Sequence, residues 1–166
     1  MDNFHEQLIR VEKESNYKVV NVLFYFFTFF ALFFLFSFNL ILLAFSGIFA
    51  LTCFFLKKKL FVEYEYVFTN GEIDIDSITE KKKRKKVLNI SIKSIELLDL
   101  EGSNAINDFY NKPTKVLSAL SSGYNKKVYV AMVTGGEERV QLRFAPDEEF
   151  LDLCYKYNPR AVKKIY

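Results

Sequence analysis

The chain has 166 residues, a formal net charge of +3, 19 Phe, no Trp, two Cys and one His. Its basic side chains cluster instead of spreading along a face with interleaved aromatics, so composition gives no nucleic-acid-binding pattern. A single His beside two distant Cys lacks the spacing of a zinc site. The 38 positions from Val19 to Leu56 contain no charged side chain and 13 Phe, which rules out a wholly water-soluble protein and calls for lipid.

Met1–Tyr17 is short and of mixed charge. Phe4, Leu8 and Val11 have helical spacing, so the segment reads as a small amphipathic helix near the membrane or as a frayed end running into the first span. His5 reads as a surface side chain.

One helix of 38 residues would be about 57 Å long at ~1.5 Å per residue, roughly twice the ~30 Å hydrocarbon core. Tilt does not absorb that mismatch. The run therefore reads as a hairpin of two helices, at about Lys18–Phe36 and Leu40–Leu56, turning at Ser37-Phe38-Asn39. It starts too late and runs too long for the apolar part of a signal peptide. The polar residues Asn21, Thr28, Ser37, Asn39, Ser46 and Thr52 are not ionisable, so no proton or ion path is indicated. Thr28, Ser46, Gly47 and Thr52 are candidates for letting the helices approach closely.

Arg10, Lys13 and Lys18 precede the first span, Lys57, Lys58 and Lys59 close the second, and the turn is uncharged. The positive-inside rule then predicts a multi-pass protein of the cell membrane with both termini cytoplasmic. A charge-free turn is also compatible with a hairpin that enters and leaves one leaflet.

Beyond Leu56 lie 110 residues, enough for one small domain at 57–166. Leu60–Thr69 alternates, with Tyr64, Tyr66 and Phe68 on one face and Glu63 and Glu65 on the other. Asn70-Gly71 supplies a two-residue turn, and Glu72–Ile78 returns with Ile73 and Ile75 inward and Asp74 and Asp76 outward. The run Lys81-Lys82-Lys83-Arg84-Lys85-Lys86 reads as a polybasic loop, after which Lys85–Ile92 resumes a strand. Further strands are predicted at Ser94–Leu98, Lys115–Leu120, Lys127–Val133 and Glu138–Phe144, with a polar loop over Leu100–Pro113. Pro146 and the acids Asp147, Glu148 and Glu149 mark a helix start. Phe150, Leu151, Cys154 and Tyr157 form its apolar stripe, and Pro159 ends it.

The fold class that follows is α+β: a transmembrane helical hairpin, then a small sandwich or barrel of about seven antiparallel strands closed by the C-terminal helix. That architecture is pleckstrin-homology-like (PH-like). The stretch from Tyr64 to Asp76, the basic run and Val87–Leu97 resemble an uncharacterised bacterial family of short two-span membrane proteins. More loosely they are similar to bacterial PH-like proteins in which a helical hairpin precedes the domain. The resemblance implies a PH-like domain and brings no catalytic residue with it.

The residues point to no cofactor and no enzyme: there is no Gly-rich phosphate loop, nucleophile motif or paired metal ligands. The opposed carboxylates Glu63, Glu65, Asp74 and Asp76 lie along flat strands and read as a solvated face that pairs with lysines. The candidate site is basic: Lys57, Lys58, Lys59, Lys81, Lys82, Lys83, Arg84, Lys85 and Lys86, facing anionic lipid. The alternative for the basic run is a solvated loop offsetting an otherwise acidic domain. Two functions remain open: a non-enzymatic membrane-anchored domain for protein or lipid contacts, and an accessory subunit whose hairpin contacts partner helices.

Overall fold

A computed structural model describes residues 3–10, 14–110, 112–134 and 138–163. Strand β1 is Phe4–Ile9; helices α1 and α2 are Glu14–Phe36 and Leu40–Leu60. Strands β2 (Val62–Thr69), β3 (Glu72–Thr79) and β4 (Lys83–Ser91) follow. A single 3-10 turn, Ile92–Ser94, leads into β5 (Ile95–Leu100). The short helix α3 (Asn104–Asn107), β6 (Lys115–Ser118), β7 (Tyr129–Val133), β8 (Val140–Phe144) and helix α4 (Glu148–Tyr157) complete the chain.

The apolar run folds as two helices because no charge falls between Lys18 and Lys57, and because a polar pair breaks it near its middle. Phe38 takes a positive φ of 52° and Asn39 caps α2, its side chain accepting the Leu42 N–H at 3.2 Å. Both helices are long and apolar enough to cross a membrane. Phe27 stacks on Phe49 and Phe24 packs on Phe54 across the seam. Thr28, Ser46 and Thr52 each donate to a carbonyl in the preceding turn of their own helix. Ser46 is buried, but a Cβ added at Gly47 would meet nothing within 4 Å, so that glycine does not serve a close helix approach.

Both helices outrun their expected bounds. α1 begins at Glu14, before Lys18. α2 continues through Lys57–Lys59, whose charge suits the negative end of the helix dipole, until the Phe61 N–H closes onto the Lys57 carbonyl.

Residues 4–9 correct the expected N-terminal helix. They form an edge strand paired antiparallel with β2, Phe4 opposite Thr69 and Ile9 opposite Tyr64. Phe4, Glu6 and Leu8 lie on one face and His5, Gln7 and Ile9 on the other, so period two wins over the helical spacing of Phe4 and Leu8. The first sheet runs β1-β2-β3-β4, all antiparallel. The second runs β5-β7-β8-β6. Here β6 pairs parallel to β8, against the all-antiparallel expectation. It reaches that edge by a long excursion and not by a hairpin, so its direction is free of turn geometry.

The core lies between the sheets. Tyr66, Phe68, Ile73 and Ile75 from the first sheet are fully buried against Leu98, Ala131, Leu142 and Phe144 from the second. Phe150 and Cys154 of α4 close one end. Asp147, one residue past Pro146, is the N-cap and accepts the Phe150 N–H. Phe150 meets Tyr66, Phe68 and Phe144 edge-on, an arrangement worth about 0.5–1.5 kcal/mol per pair beyond burial. At the Asn70-Gly71 turn, Gly71 has φ +98° and a Cβ would stand 2.9 Å from the Tyr157 ring, so no other residue fits. The predicted 100–113 loop contains α3, which covers Leu97, Val130 and Met132 on the outer face of the second sheet.

Candidate functional site

The two apolar helices do not precede the sheets. They are inserted between β1 and β2, which are paired neighbours. β1 ends and β2 begins at the same end of the first sheet. β3 turns into β4 there too, since Val62 pairs with Thr79 and Thr79 with Lys83. The hairpin base and the β3–β4 turn therefore share one end of the molecule.

They are joined there. The Glu80 N–H donates to the Phe61 carbonyl at 3.0 Å. The Lys81 ammonium lies 5.5 Å from the centre of the Phe61 ring, and the Tyr17 ring of α1 packs against the same ring, with centroids 4.9 Å apart. Glu80 and Lys81 have φ of 51° and 56°, and the Lys82 N–H donates to the Thr79 carbonyl. This is a mirror-image hairpin turn, the kind usually built from Asn-Gly. Glu and Lys in that conformation cost about 1–2 kcal/mol each.

Basic stretches 57–59 and 81–83, distant in sequence, are thus brought together. Lys57 and Lys58 fold back over Phe24 and Phe54, with ammonium-to-ring distances of 4.3 and 3.9 Å. Lys59, Lys81, Lys82 and Lys83 are exposed.

The polybasic loop is not what forms. Lys83–Lys86 lie in β4, and the turn is confined to Glu80–Lys82. The strand splits the run by face. Arg84 and Lys86 share the outer face with Glu65, Asp74 and Asp76. Arg84 binds Glu65 at 2.6 Å and lies 3.8 Å from Asp76. Lys86 binds Asp74 at 2.6 Å, and the Asn89 amide donates to the same carboxylate. Lys85 sits opposite Ser77, whose hydroxyl donates to the Lys85 carbonyl. Of the nine predicted basic residues, six sit at the hairpin end, two are held by carboxylates, and Lys85 is exposed beside them.

Glu65, Asp74 and Asp76 do pair with this strand, but two of the four outer carboxylates are not solvated. Glu63 and Glu65 are 5% and 7% exposed. Burial raises the Glu65 carboxyl above its ordinary value, Arg84 pulling the other way. The hydrogen bond from Lys86 holds Asp74 below its ordinary value, and Lys86 is raised in turn.

Among the described residues no group of three or more His, Cys, Asp or Glu is placed to hold a metal ion. Cys53 is buried in α2 and Cys154 under α4. Burial pushes the Cys154 thiol up to about 12, far from a nucleophile's range.

Two packed four-stranded sheets, a closing C-terminal helix and a pair of apolar helices set into the first β–β connection define a PH-like domain with its own apolar hairpin. The chain belongs to the bacterial PH-like domain family (DUF6106), whose model matches residues 1–164 and so takes in the hairpin as well as both sheets. No curated protein and no solved structure matches it.

Proposed function

We propose that this is a non-enzymatic, membrane-anchored protein whose inserted hairpin holds a PH-like domain, residues 4–10 and 61–163, against the cytoplasmic face of the membrane. The observation that carries the reading is the joining of α2 to the β3–β4 turn through Phe61 and Glu80, which gathers Lys57–Lys59 and Lys81–Lys83 at one end.

The 21 residues of α2 are about 31 Å long at ~1.5 Å per residue, close to the ~30 Å hydrocarbon core. Because β1 pairs with β2, a spanning hairpin returns to the side it left. The lysines at its base favour the cytoplasmic side. Lys57 and Lys58, laid along aromatic rings, have stems suited to reach from the helix end to headgroup level. Each basic side chain near an anionic surface contributes about 1 kcal/mol. The hairpin already supplies the anchoring, so the lysines act on orientation. Arg84 and Lys86, tied to carboxylates, take no part.

The test uses the full chain in nanodiscs with a donor dye at position 70, at the far end of the sheet, and acceptor dyes in the lipid. Replacing Lys81, Lys82 and Lys83 by Gln should broaden or lengthen the dye-to-bilayer distance in phosphatidylglycerol-containing discs and leave it unchanged in pure phosphatidylcholine. No change in either disc removes the orienting role.

A further inference from the structure

The outer face of the first sheet is open, and it carries an apolar stripe beside a charged groove. Phe4 and Leu8 on β1 are 58% and 40% exposed, and Val67 of β2 lies opposite Glu6, midway between them. Beside the stripe, Glu65, Val67, Asp74, Asp76, Arg84 and Lys86 line a groove of about 490 Å³. We infer that this face is the docking surface for the basic, amphipathic cytoplasmic end of a helix from another membrane protein. The inference rests on the reading that the hairpin end of the domain faces the bilayer.

The face has the dimensions of one helix. β2 has eight residues, about 26 Å at ~3.3 Å per residue, and four strands spaced ~4.8 Å apart give a width of about 14 Å. An α-helix of ~10–12 Å diameter covers that strip over about five turns. Apolar surface rimmed by charged side chains marks a protein contact.

Charge selects the partner. By register, Glu6, Glu63, Glu65, Asp74 and Asp76 share this face with Arg84, Lys86 and, past the end of β1, Arg10. Arg84 and Lys86 are already engaged by Glu65, Asp76 and Asp74. Two carboxylates are left over. Glu6 is exposed, and it lies close enough to Glu65 to add to the rise that burial gives that carboxyl. Glu63 is 5% exposed and has no hydrogen bond or ion pair among the described residues, yet its oxygens are not sealed from the surface. Enclosing a carboxylate without a cation is costly, so an incoming ammonium or guanidinium relieves both positions.

Position names the source of that cation. β2 starts at the hairpin base, so Glu63 stands at the membrane end of the face and Phe4 at the far end. A helix leaving the bilayer beside the hairpin passes Glu63 and Glu65 first. Cytoplasmic ends of spanning helices are rich in Lys and Arg, which complement these carboxylates. Further from the membrane, the same helix lays an apolar side on Leu8, Val67 and Phe4. An anionic lipid surface is repelled by the carboxylates. A second copy of this chain carries its turn lysines, Lys81–Lys83, toward the bilayer, and its α4 opens with the acids Glu148 and Glu149. The occupant is therefore a different protein.

Energy transfer with the full chain in liposomes of pure phosphatidylcholine tests this. The probe is a synthetic spanning helix of Leu and Ala whose extension beyond the bilayer is an amphipathic helix with Lys on its polar side. A control probe carries Glu in place of Lys. The donor dye sits at position 110, which is exposed beside the second sheet and clear of this face, and the acceptor ends the extension. The Lys probe should associate at least tenfold more strongly than the Glu probe. Glu6→Gln with Glu63→Gln should weaken its association roughly tenfold, the size expected for two surface ion pairs. Phe4→Ser with Leu8→Ser should weaken it by a similar factor. Equal association of the two probes overturns the proposal, as does full association in the Glu6/Glu63 variant. Transfer between differently labelled copies of the chain without probe, lost in that variant, would assign the face to a second copy and overturn the helix partner. A parent that keeps its dye-to-bilayer distance and ignores the Lys probe overturns the face alone, whereas a domain standing away from the bilayer overturns both this inference and the reading beneath it. Unchanged thermal unfolding of both variants is the control for folding.

Discussion

The Phe61 carbonyl accepts the Glu80 N–H at 3.0 Å, so the residue that ends α2 and the residue that turns β3 into β4 are one hydrogen bond apart. Through this contact the position of the hairpin is passed directly to the first sheet. A domain that followed its anchor on a linker would swing freely. This one is entered and left by the apolar hairpin within a single pair of hydrogen-bonded strands.

The β3–β4 turn is the place where stability is given up for position. Glu80 and Lys81 occupy left-handed backbone conformations that Asn and Gly would fill with little strain. The double variant Glu80→Asn, Lys81→Gly should stabilise the domain by about 1–3 kcal/mol, from relief of two strained residues. It should also loosen domain orientation on phosphatidylglycerol discs, because Lys81 leaves Phe61. Denaturant unfolding in detergent checks the first outcome and dye-to-bilayer distance the second. A fall in stability would show that the Glu80 and Lys81 side chains contribute more than their backbone costs.

Insertion of the hairpin has a direct consequence for engineering. Replacing residues 11–62 by a two-residue Asn-Gly turn joins β1 to β2 as an ordinary hairpin, since Ile9 already stands opposite Tyr64 and the same register sets position 10 opposite 63. The resulting chain should be folded and monodisperse without detergent. A chain beginning at residue 62 should be unstable or aggregate, because it lacks β1 and bares the edge of β2. Circular dichroism and size-exclusion chromatography distinguish the two. Equal behaviour of both chains would mean that β1 adds nothing to the fold.

The legible parts of this fold were those with strong local signals. A charge-free run broken at Ser37–Asn39 gives two helices. Asn70-Gly71 between alternating segments gives a hairpin, and the acids after Pro146 give α4. What escaped depends on partners far along the chain. β1 is six residues long and pairs with a strand more than fifty residues on, so its alternation was too short to outweigh the helical spacing of Phe4 and Leu8. The run 81–86 looked uniform as a string of charges, but a strand separates neighbours to opposite faces, and only Glu65 and Asp74 show which of them are engaged. The folding of the β6–β7 segment back onto the end of β1, where the Ser121 hydroxyl donates to the Arg10 carbonyl, had no local signature at all.

Tyr66 ties the two sheets together. It is fully buried, and its hydroxyl donates to the Ala119 carbonyl while accepting the Ala145 N–H. Tyr66→Phe keeps the ring contacts with Phe144 and Phe150 and removes both bonds. Two buried backbone groups then lose their partner, at a cost of about 1–3 kcal/mol. The thermal midpoint should fall, and amide exchange at Ala145 should quicken more than at Ile73, which keeps its own strand partners. Equal exchange at both sites would place the loss in general packing and not in this bridge.

The outer face of the first sheet should leave opposite signatures in acid. Asp74 is held below its ordinary value of 3.8 by the hydrogen bond from Lys86, so it contributes stability above pH 3.8 that disappears as pH falls through the lowered value. Glu65 is raised above 4.5 by burial, with Arg84 opposing. Its folded form holds a proton more tightly than the unfolded form. It therefore contributes stability below pH 4.5 that is lost as pH rises through the raised value. Asp74→Asn should flatten the acid limb below pH 3.8, whereas Glu65→Gln should flatten the decline that begins above pH 4.5. Lys86 is exposed and Asp74 partly so, so the first effect should shrink in high salt. Glu65 is nearly enclosed, so the second should persist. Denaturant midpoints measured from pH 3 to 7 (about 25 °C, low and high salt) read both limbs, and a Glu65→Gln profile parallel to that of the parent would rule out burial as the cause.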